Sequence, residues 1–240
     1  MQLSKNLMQT NRKAKKNLSR YLILPAIIFV AIITQIPFIM TIIISFLKWN
    51  VKRPDMPITF AGFDNYIYIF SDSNFYRVLL NSFIQAFVSL ALCTVLGFLL
   101  ALLFNRSFKG IYFARSFIIV PYFVMESVVG IIWKTLILSP SFGINQVVAN
   151  FFGAEPIAFF SSGLSLVTII ILIVWQWTPF LFMILLAGLQ NLSEDVIESA
   201  RIDGAGGLSM IYYIKVPMIK NYFIVGMMFG LINVLKVFGL

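Results

Sequence analysis

Long runs of apolar residues without a single charge divide this sequence, and they constrain its fold more than any other feature. Residues 21–47 and 78–105 contain no Asp, Glu, Lys or Arg. A helix needs about 20 predominantly apolar residues to cross the hydrocarbon core of a bilayer. Only 11% of the whole chain is charged, whereas a soluble domain carries about 25% charged residues. The runs therefore predict membrane-spanning helices.

Five candidate spans follow from this pattern. The third is interrupted by Glu126 and Lys134, and the fifth begins near Asn221 and is still apolar at Leu240. We predict an all-α, polytopic transmembrane bundle at residues 21–240, preceded by a basic tail at residues 1–20. The expected spans are residues 21–47, 78–105, 116–138, 164–189 and 221–240.

The distribution of Lys and Arg predicts the orientation of these spans. Six basic residues lie in residues 1–20, three in 105–115 and three in 190–220, against four in 48–77 and none in 139–163. Cytoplasmic segments carry the excess of Lys and Arg, so we predict a cytoplasmic N-terminus and an uncleaved first span. The net charge of +9 then reflects topology, and no basic patch with interleaved aromatics favours nucleic acid as a partner.

The sequence offers little for catalysis or metal binding. It contains no histidine and a single cysteine, Cys93, within an apolar run. Histidine is the commonest general base and metal ligand, and no phosphate-cradling glycine loop is present. We therefore predict no catalytic residue, no metal site and no cofactor. A membrane-embedded enzyme and a channel or scaffold subunit remain as alternatives to a transporter.

The segment between the fourth and fifth spans is predicted to fold by itself. Ser193 suits an N-cap, and the following Glu194 and Asp195 suit the positive end of a helix. Glycines beginning at Gly204 would end that helix, and Gly204 is predicted to have a positive φ or to pack too closely for a Cβ. Residues 208–216 suit a second short helix that ends at Pro217. Docking of another protein on this segment and a simple connection between spans are equally compatible with the pattern.

Residues 190–217 resemble the coupling-loop signature of ABC importer permeases. That signature is Glu-Ala-Ala, three residues, Gly, nine residues, Ile, one residue and Leu-Pro. The sequence has Glu198-Ser199-Ala200, Gly204, Ile214 and Val216-Pro217 at these spacings. Ser199 replaces an alanine and Val216 replaces the leucine, and both changes are conservative in size.

Other segments resemble the maltose and glycerol-phosphate branch of that family. They are residues 60–66, Trp133-Lys134, residues 142–145, the sequence Trp175-Gln176-Trp177-Thr178-Pro179, and residues 186–190 and 200–205. The resemblance covers residues 20–240. It implies a type I permease fold in a bacterial cell membrane and the import of an oligosaccharide, a disaccharide or glycerol phosphate. Which sugar is carried does not follow from the sequence.

The resemblance also implies partners. In this family the loop at residues 190–220 docks on a cytoplasmic ATPase dimer, which binds the ATP, while a second permease and an extracytoplasmic solute-binding protein complete the importer. The family pattern has a sixth span, so we expect one beyond Leu240. The residues expected to couple the permease to the ATPase are Glu198, Ser199, Ala200, Asp203, Gly204 and Pro217.

Glu126 is the candidate for the translocation path. It lies about ten residues into the predicted third span, so a continuous helix would place it roughly 15 Å deep. A carboxylate at that depth should face protein or water. Gly130 and Trp133 follow at helical spacing, and with Phe123 and Lys134 they could share one face with Glu126. Lining of the path and structural pairing of Glu126 are both open at this stage.

Overall fold

The computed structural model describes residues 2–161 and 163–236, with side chains from Ile23 onward. The chain divides into two compact units, residues 1–76 and 77–240. The boundary between these units falls inside a helix. The predicted division at residue 20 separates a cytoplasmic tail from the membrane domain, and it stays a prediction. The expected sixth span and the last four residues lie outside the described part.

The first unit consists of one long helix and a small extramembrane cap. Helix α1 spans Gln2–Ser45 and contains the predicted first span as Ile23–Ser45. Strands β1 (Leu47–Lys48) and β2 (Thr59–Phe60) form an antiparallel pair, and helix α2 follows at Asp64–Ser71. The rings of Phe46, Phe63 and Tyr66 pack against one another in this cap.

Hydrogen bonds and ring contacts attach α2 to the end of α1. Asn65 donates to the carbonyls of Ser45 and Leu47 at 2.8 and 3.1 Å, and the hydroxyls of Ser45 and Tyr66 are 2.6 Å apart. The Phe46 ring packs against Tyr66 with centroids 5.5 Å apart. The cap therefore fixes the end of the first span by contacts that satisfy its terminal carbonyls.

The second unit holds the remaining spans. Helix α3 (Ser73–Phe104) enters it from the first unit, and α7 (Ser165–Gln190) is the most deeply buried helix. Helix α11 (Lys220–Leu235) packs along α7. The shorter helices are α4 (Ile111–Ile119), α5 (Glu126–Ile131), α6 (Ile144–Phe151), α8 (Glu194–Ile202), α9 (Gly207–Ser209) and α10 (Val216–Met218). The predicted first, second and fourth spans are confirmed as α1, α3 and α7, which are long and apolar enough to cross a membrane. The predicted fifth span is helical as far as Leu235, but α11 reaches the length of a span only together with the bent segment before it.

Close approach of α3 to α7 forms the centre of this unit. A Cβ on Gly97 would lie 2.9 Å from both the Leu181 Cβ and the Phe182 backbone nitrogen. Leu181 and Phe182 are completely buried. Because lipid is as apolar as these side chains, helices in a membrane associate through such small-residue contacts. The glycine therefore sets the distance between the two spans.

The prediction of one continuous third span is wrong. Helix α4 runs into a 3-10 helix at Val120–Phe123, and α5 begins only at Glu126 and continues into a π-helix at Ile132–Ile137. The two arms, Ile111–Phe123 and Glu126–Ile137, meet at a bend of 93°. Pro121 has no N–H and Val124 is extended, so the α-helical ladder cannot continue through this point.

Candidate functional site

Helix α8 has the position and ends expected of the coupling helix. Ser193 occupies its N-cap with an extended backbone, although its side chain makes no capping hydrogen bond. Glu194 and Asp195 lie in the first turn and Arg201 in the last, an arrangement that complements the helix dipole. The predicted start of the helix is therefore confirmed, but the Ser193 hydroxyl does not form the cap that the sequence suggested.

Gly204 ends α8 in a Schellman motif. The Ala205 N–H donates to the Ala200 carbonyl at 2.8 Å, and the Gly204 N–H donates to the Arg201 carbonyl at 3.0 Å. Gly204 has φ +87°, and a Cβ there would meet nothing within 4 Å. This pair of bonds requires a left-handed residue after the cap, which glycine adopts without strain. The predicted positive φ is confirmed, while the alternative of close packing does not apply within this chain.

The remaining predicted coupling residues divide between two sides of α8. Ala200 is buried and anchors the helix to the rest of the unit. Glu198, Ser199 and Asp203 are exposed, as is Pro217 farther along. An interior alanine with exposed acids beside it leaves one side of the helix free for a partner.

The sequence analysis missed large apolar side chains on the same segment. Ile202 is 86% exposed and Leu208 is 83% exposed, and Tyr212 and Tyr213 are also exposed. Monomeric proteins rarely leave groups of such side chains in water, and exposed apolar patches mark interaction sites. Their position in the sequence, directly after the Glu198 motif, was the signal that could have placed them on the same interaction surface. They add an apolar component to the acids of α8.

A polar cleft lies beside α8, with a volume of about 650 Å³. Glu194 and Glu198 line it together with Arg106, Arg201 and Lys215. Burial, with the nearby positive charges of Arg201 and Arg106, lowers the pKa of Lys215. No carboxylate lies within 4 Å of these cations in the described part of the chain. The cleft therefore has basic groups available to an acidic partner group.

The predicted end of the second short helix at Pro217 is wrong. Helix α9 leads into a π-helix at Met210–Lys215, and α10 continues through Pro217 to Met218. Proline is tolerated in the first turn of a helix because its missing N–H has no intrahelical acceptor there. The direction changes only at Ile219, where this segment and α11 meet at 68°.

The three candidate path residues lie on the second arm of the broken span. Glu126 is in the first turn of α5, and Gly130 follows one helical turn later. Trp133 lies in the π-helix and packs edge-on against Trp175 of α7 at 5.6 Å. Phe123 belongs to the other arm, so the shared face proposed for it with Glu126 does not exist. Glu126 makes no hydrogen bond or ion pair with the described side chains.

Polar groups that sequence reasoning passed over surround the bend. Gln176 is only 3% exposed, and its Nε2 donates to the Val124 carbonyl at 2.8 Å. Its Oε1, the Trp177 Nε1 and the Thr178 Oγ are buried without a hydrogen-bond partner in the described structure. Buried polar groups of this kind are expensive in an apolar medium. The sequence analysis noted the motif from Trp175 to Pro179 only for its resemblance to the family. The Gln176 amide, a polar group within an apolar run, was the signal that could have revealed this role.

These features define a polytopic α-helical membrane protein with bent helix pairs and a folded loop between two of its helices. Residues 93–239 match the family described as binding-protein-dependent transport system inner membrane component. The chain belongs to this family. It is a multi-pass component of a transporter and not an enzyme, as the sequence predicted, and the predicted fold class is confirmed.

Relatives and solved structures agree with this assignment. The chain is 32% identical to the probable ABC transporter permease protein y4oQ of Sinorhizobium fredii, covering 90% of this chain and 69% of that protein. It is 29% identical to the trehalose/maltose transport system permease protein MalF of Thermococcus litoralis, covering 99% and 80%. It superimposes with a TM-score of 0.75 and 25% identity on a bacterial ABC transporter involved in the import of the acidic polysaccharide alginate, covering 94% and 76%.

Proposed function

We propose that this chain is one permease subunit of an ATP-driven importer that carries a sugar into the cytoplasm. The observation that carries the proposal is α8, which ends in a Schellman motif at Gly204 and exposes Glu198 and Asp203. A rigid helix that is closed at its C-terminal end and packed on its unit can transmit rigid-body motion between packed units. Hydrolysis of ATP would take place on a separate ATPase subunit.

The surface around α8 supports an ATPase as its partner. Ile202 and Leu208 supply exposed apolar area, and Glu198 and Asp203 supply charge beside it. Apolar anchors surrounded by polar groups are typical of protein interfaces. Ser199, Ala200 and Pro217 complete the proposed coupling element, with Ala200 as its internal anchor. A channel that works without a partner protein would have no need of such a surface.

A sugar is the proposed cargo because several relatives are named for the transport of sugars or sugar derivatives. They include permeases for trehalose and maltose, for trehalose, and for sulfoquinovosyl glycerol. Glu126, Gly130 and Trp133 are the proposed path residues. Carboxylate and indole groups suit a polyhydroxylated solute because they combine hydrogen bonding with flat apolar contact.

Reconstitution tests this proposal. The full gene product, co-expressed with the neighbouring permease, ATPase and solute-binding protein, is placed in proteoliposomes and offered radiolabelled trehalose, maltose and glycerol phosphate. We expect ATP-dependent uptake of at least one sugar, and copurification of the ATPase that Gly204→Val abolishes. Uptake without ATP would indicate a channel, and failure of the ATPase to copurify with the wild-type chain would overturn the proposal.

The proposed orientation has a cytoplasmic N-terminus. It rests on the excess of Lys and Arg in residues 1–20, 105–115 and 190–220. Reporter fusions at Phe108 and Leu208 should give a cytoplasmic signal, and fusions at Asp55 and Gly153 an extracytoplasmic one. A cytoplasmic signal at Gly153 would contradict this orientation. In the proposed orientation, a binding protein would deliver the solute at the surface that carries Asp55.

A further inference from the structure

Arg115 connects three elements at one end of the second unit. It lies on α4 and is half-buried. Its Nη2 donates to the carbonyl of Phe104 at 2.6 Å. With the Gln190 amide turned so that its oxygen faces the guanidinium, that oxygen accepts from Nη2 and Nη1 at 3.2 and 3.3 Å.

Both partners of Arg115 are helix ends. Phe104 is the last residue of α3 and Gln190 is the last residue of α7. The Phe104 acceptor is one of the final carbonyls of α3, which have no intrahelical donor and carry partial negative charge. The Gln190 acceptor is its side-chain amide oxygen. A guanidinium is suited to this place because its planar fork donates to two acceptors at once. The arginine therefore binds two span ends in a fixed relation to α4.

A second hydrogen bond joins the same arm to α7. Gln176 of α7 donates to Val124, directly after the 3-10 helix that continues α4. The arm Ile111–Phe123 is thus attached to α7 near its start by Arg115 and just beyond its end by Gln176. Two separated attachments prevent the arm from pivoting about either one. Only Asn191, Leu192 and Ser193 separate α7 from α8.

We propose that Arg115 is a positioning residue that makes the α4 arm move with α7 when α8 is displaced. A displacement of α8 is transmitted to Gln190, because only three residues separate the two. Arg115, which contacts Gln190, then transmits the displacement to α4 and to the bend before Glu126. The inference rests on the proposed function, since it assigns a route for the motion that an ATPase would impose on α8. A purely structural arginine would stabilise the fold without carrying this motion.

Distance measurements in the assembled importer test the proposal. Spin labels are placed at Tyr112 on α4 and Asp195 on α8, both exposed, with Cys93 replaced by alanine. The complex of full-length chains is measured without nucleotide and with ATP and vanadate. In the unmodified background we expect the same distance distribution in both states. With Arg115→Gln we expect a nucleotide-dependent shift or broadening, because the arm no longer follows α7.

Gln190→Leu is the second variant, because it removes the α7 partner and leaves Arg115 bound to Phe104. It should reproduce the broadening even if Arg115→Gln assembles poorly. The matched control is Lys109→Gln, which removes one positive charge from an exposed loop residue that makes no hydrogen bond in the described structure. It should leave the distances unchanged. Unaltered distances in Gln190→Leu would overturn the inference.

Uptake per ATP separates positioning from simple support of the fold. In proteoliposomes with radiolabelled trehalose, or whichever sugar the wild type transports, Gln190→Leu should lower sugar moved per ATP hydrolysed by about threefold or more, with normal yield of complex. Reduced yield with an unchanged ratio in the surviving complex would overturn the positioning role. A wild-type complex without ATP-driven uptake would overturn the proposed function and this inference together.

Discussion

The side chains of Asn191 and Tyr222 join the end of the fourth span to the start of the fifth. The Asn191 Nδ2 donates to the Tyr222 hydroxyl at 2.9 Å, and the Tyr222 ring lies so close to Gly188 that a Cβ there would be 2.8 Å from Cγ. The ring supplies packing and the hydroxyl supplies one exposed hydrogen bond. The two contributions can be separated by substitution.

Tyr222→Phe should lower stability slightly and Tyr222→Ala strongly. The first loses an exposed hydrogen bond worth about 0.5 to 1 kcal/mol, whereas the second also leaves a cavity, at about 3 kcal/mol. Thermal unfolding in detergent, followed by tryptophan fluorescence, gives the comparison. Tyr213→Phe, at an exposed ring, is the control and should be neutral. Equal effects of the two Tyr222 variants would show that the ring does not hold the helices.

Gln176→Leu should destabilise the bend of the third span. It removes the only side-chain donor to the Val124 carbonyl in the described structure, at a cost of about 0.5 to 1.5 kcal/mol. Gln85→Leu is the matched control, since Gln85 lies in α3 and its side chain makes no hydrogen bond to the described residues. Thermal unfolding in detergent measures both. A Gln176 variant as stable as the Gln85 variant would mean that the bend is maintained by proline alone.

Substitutions of Gly204 should follow backbone preference and not side-chain size. Valine is strained at φ +87°, whereas asparagine is among the residues that adopt this conformation. Because a Cβ meets nothing within 4 Å, Gly204→Asn should retain most uptake and Gly204→Val should lose it while still inserting in the membrane. ATP-driven uptake and membrane abundance are measured together. Loss of uptake in both variants would instead place the partner against Gly204 itself.

Glu126→Gln should change the apparent affinity for the transported sugar while leaving assembly normal. Glu126 has no partner among the described residues, so pairing within this chain does not explain its place at the start of α5. Glutamine keeps the shape and removes the charge. The concentration dependence of uptake measures the affinity for the sugar, and copurification of the second permease measures assembly. Lost copurification with unchanged affinity would assign Glu126 to the contact between permeases.

Hydropathy was sufficient to locate most spans, and local chemistry was sufficient to locate α8. The positive φ of Gly204 followed from its place after a helix with acids at its start. The 93° bend did not follow, because apolar content reports how many residues lie in lipid and not the direction of the chain. Pro121 was the local signal for that bend. The predicted helix end at Pro217 was wrong because a π-helix precedes it. The spacing of apolar residues does not distinguish a π-helix from an α-helix.

The role of Gln176 was missed for a related reason. A single amide within an apolar run changes neither its length nor its charge, so the pattern cannot show which carbonyl it will find. Its acceptor lies 52 positions earlier and becomes visible only when α7 and the bent span are packed together. The same holds for Arg115, which the sequence analysis counted only as a topological charge.

The crossing of α3 and α7 at Gly97 reverses the usual relation between the size of a substitution and its harm. Exchanging the exposed Leu99 for another aliphatic residue should change little, whereas one methyl group at Gly97 meets backbone at 2.9 Å. A saturation mutagenesis map of α3 around this crossing should therefore be least tolerant at Gly97, where the side chain is smallest. The crossing depends on a close approach of two backbones that leaves no room for a Cβ, so natural variants of the chain should differ at exposed neighbours such as Leu99 before they differ at Gly97.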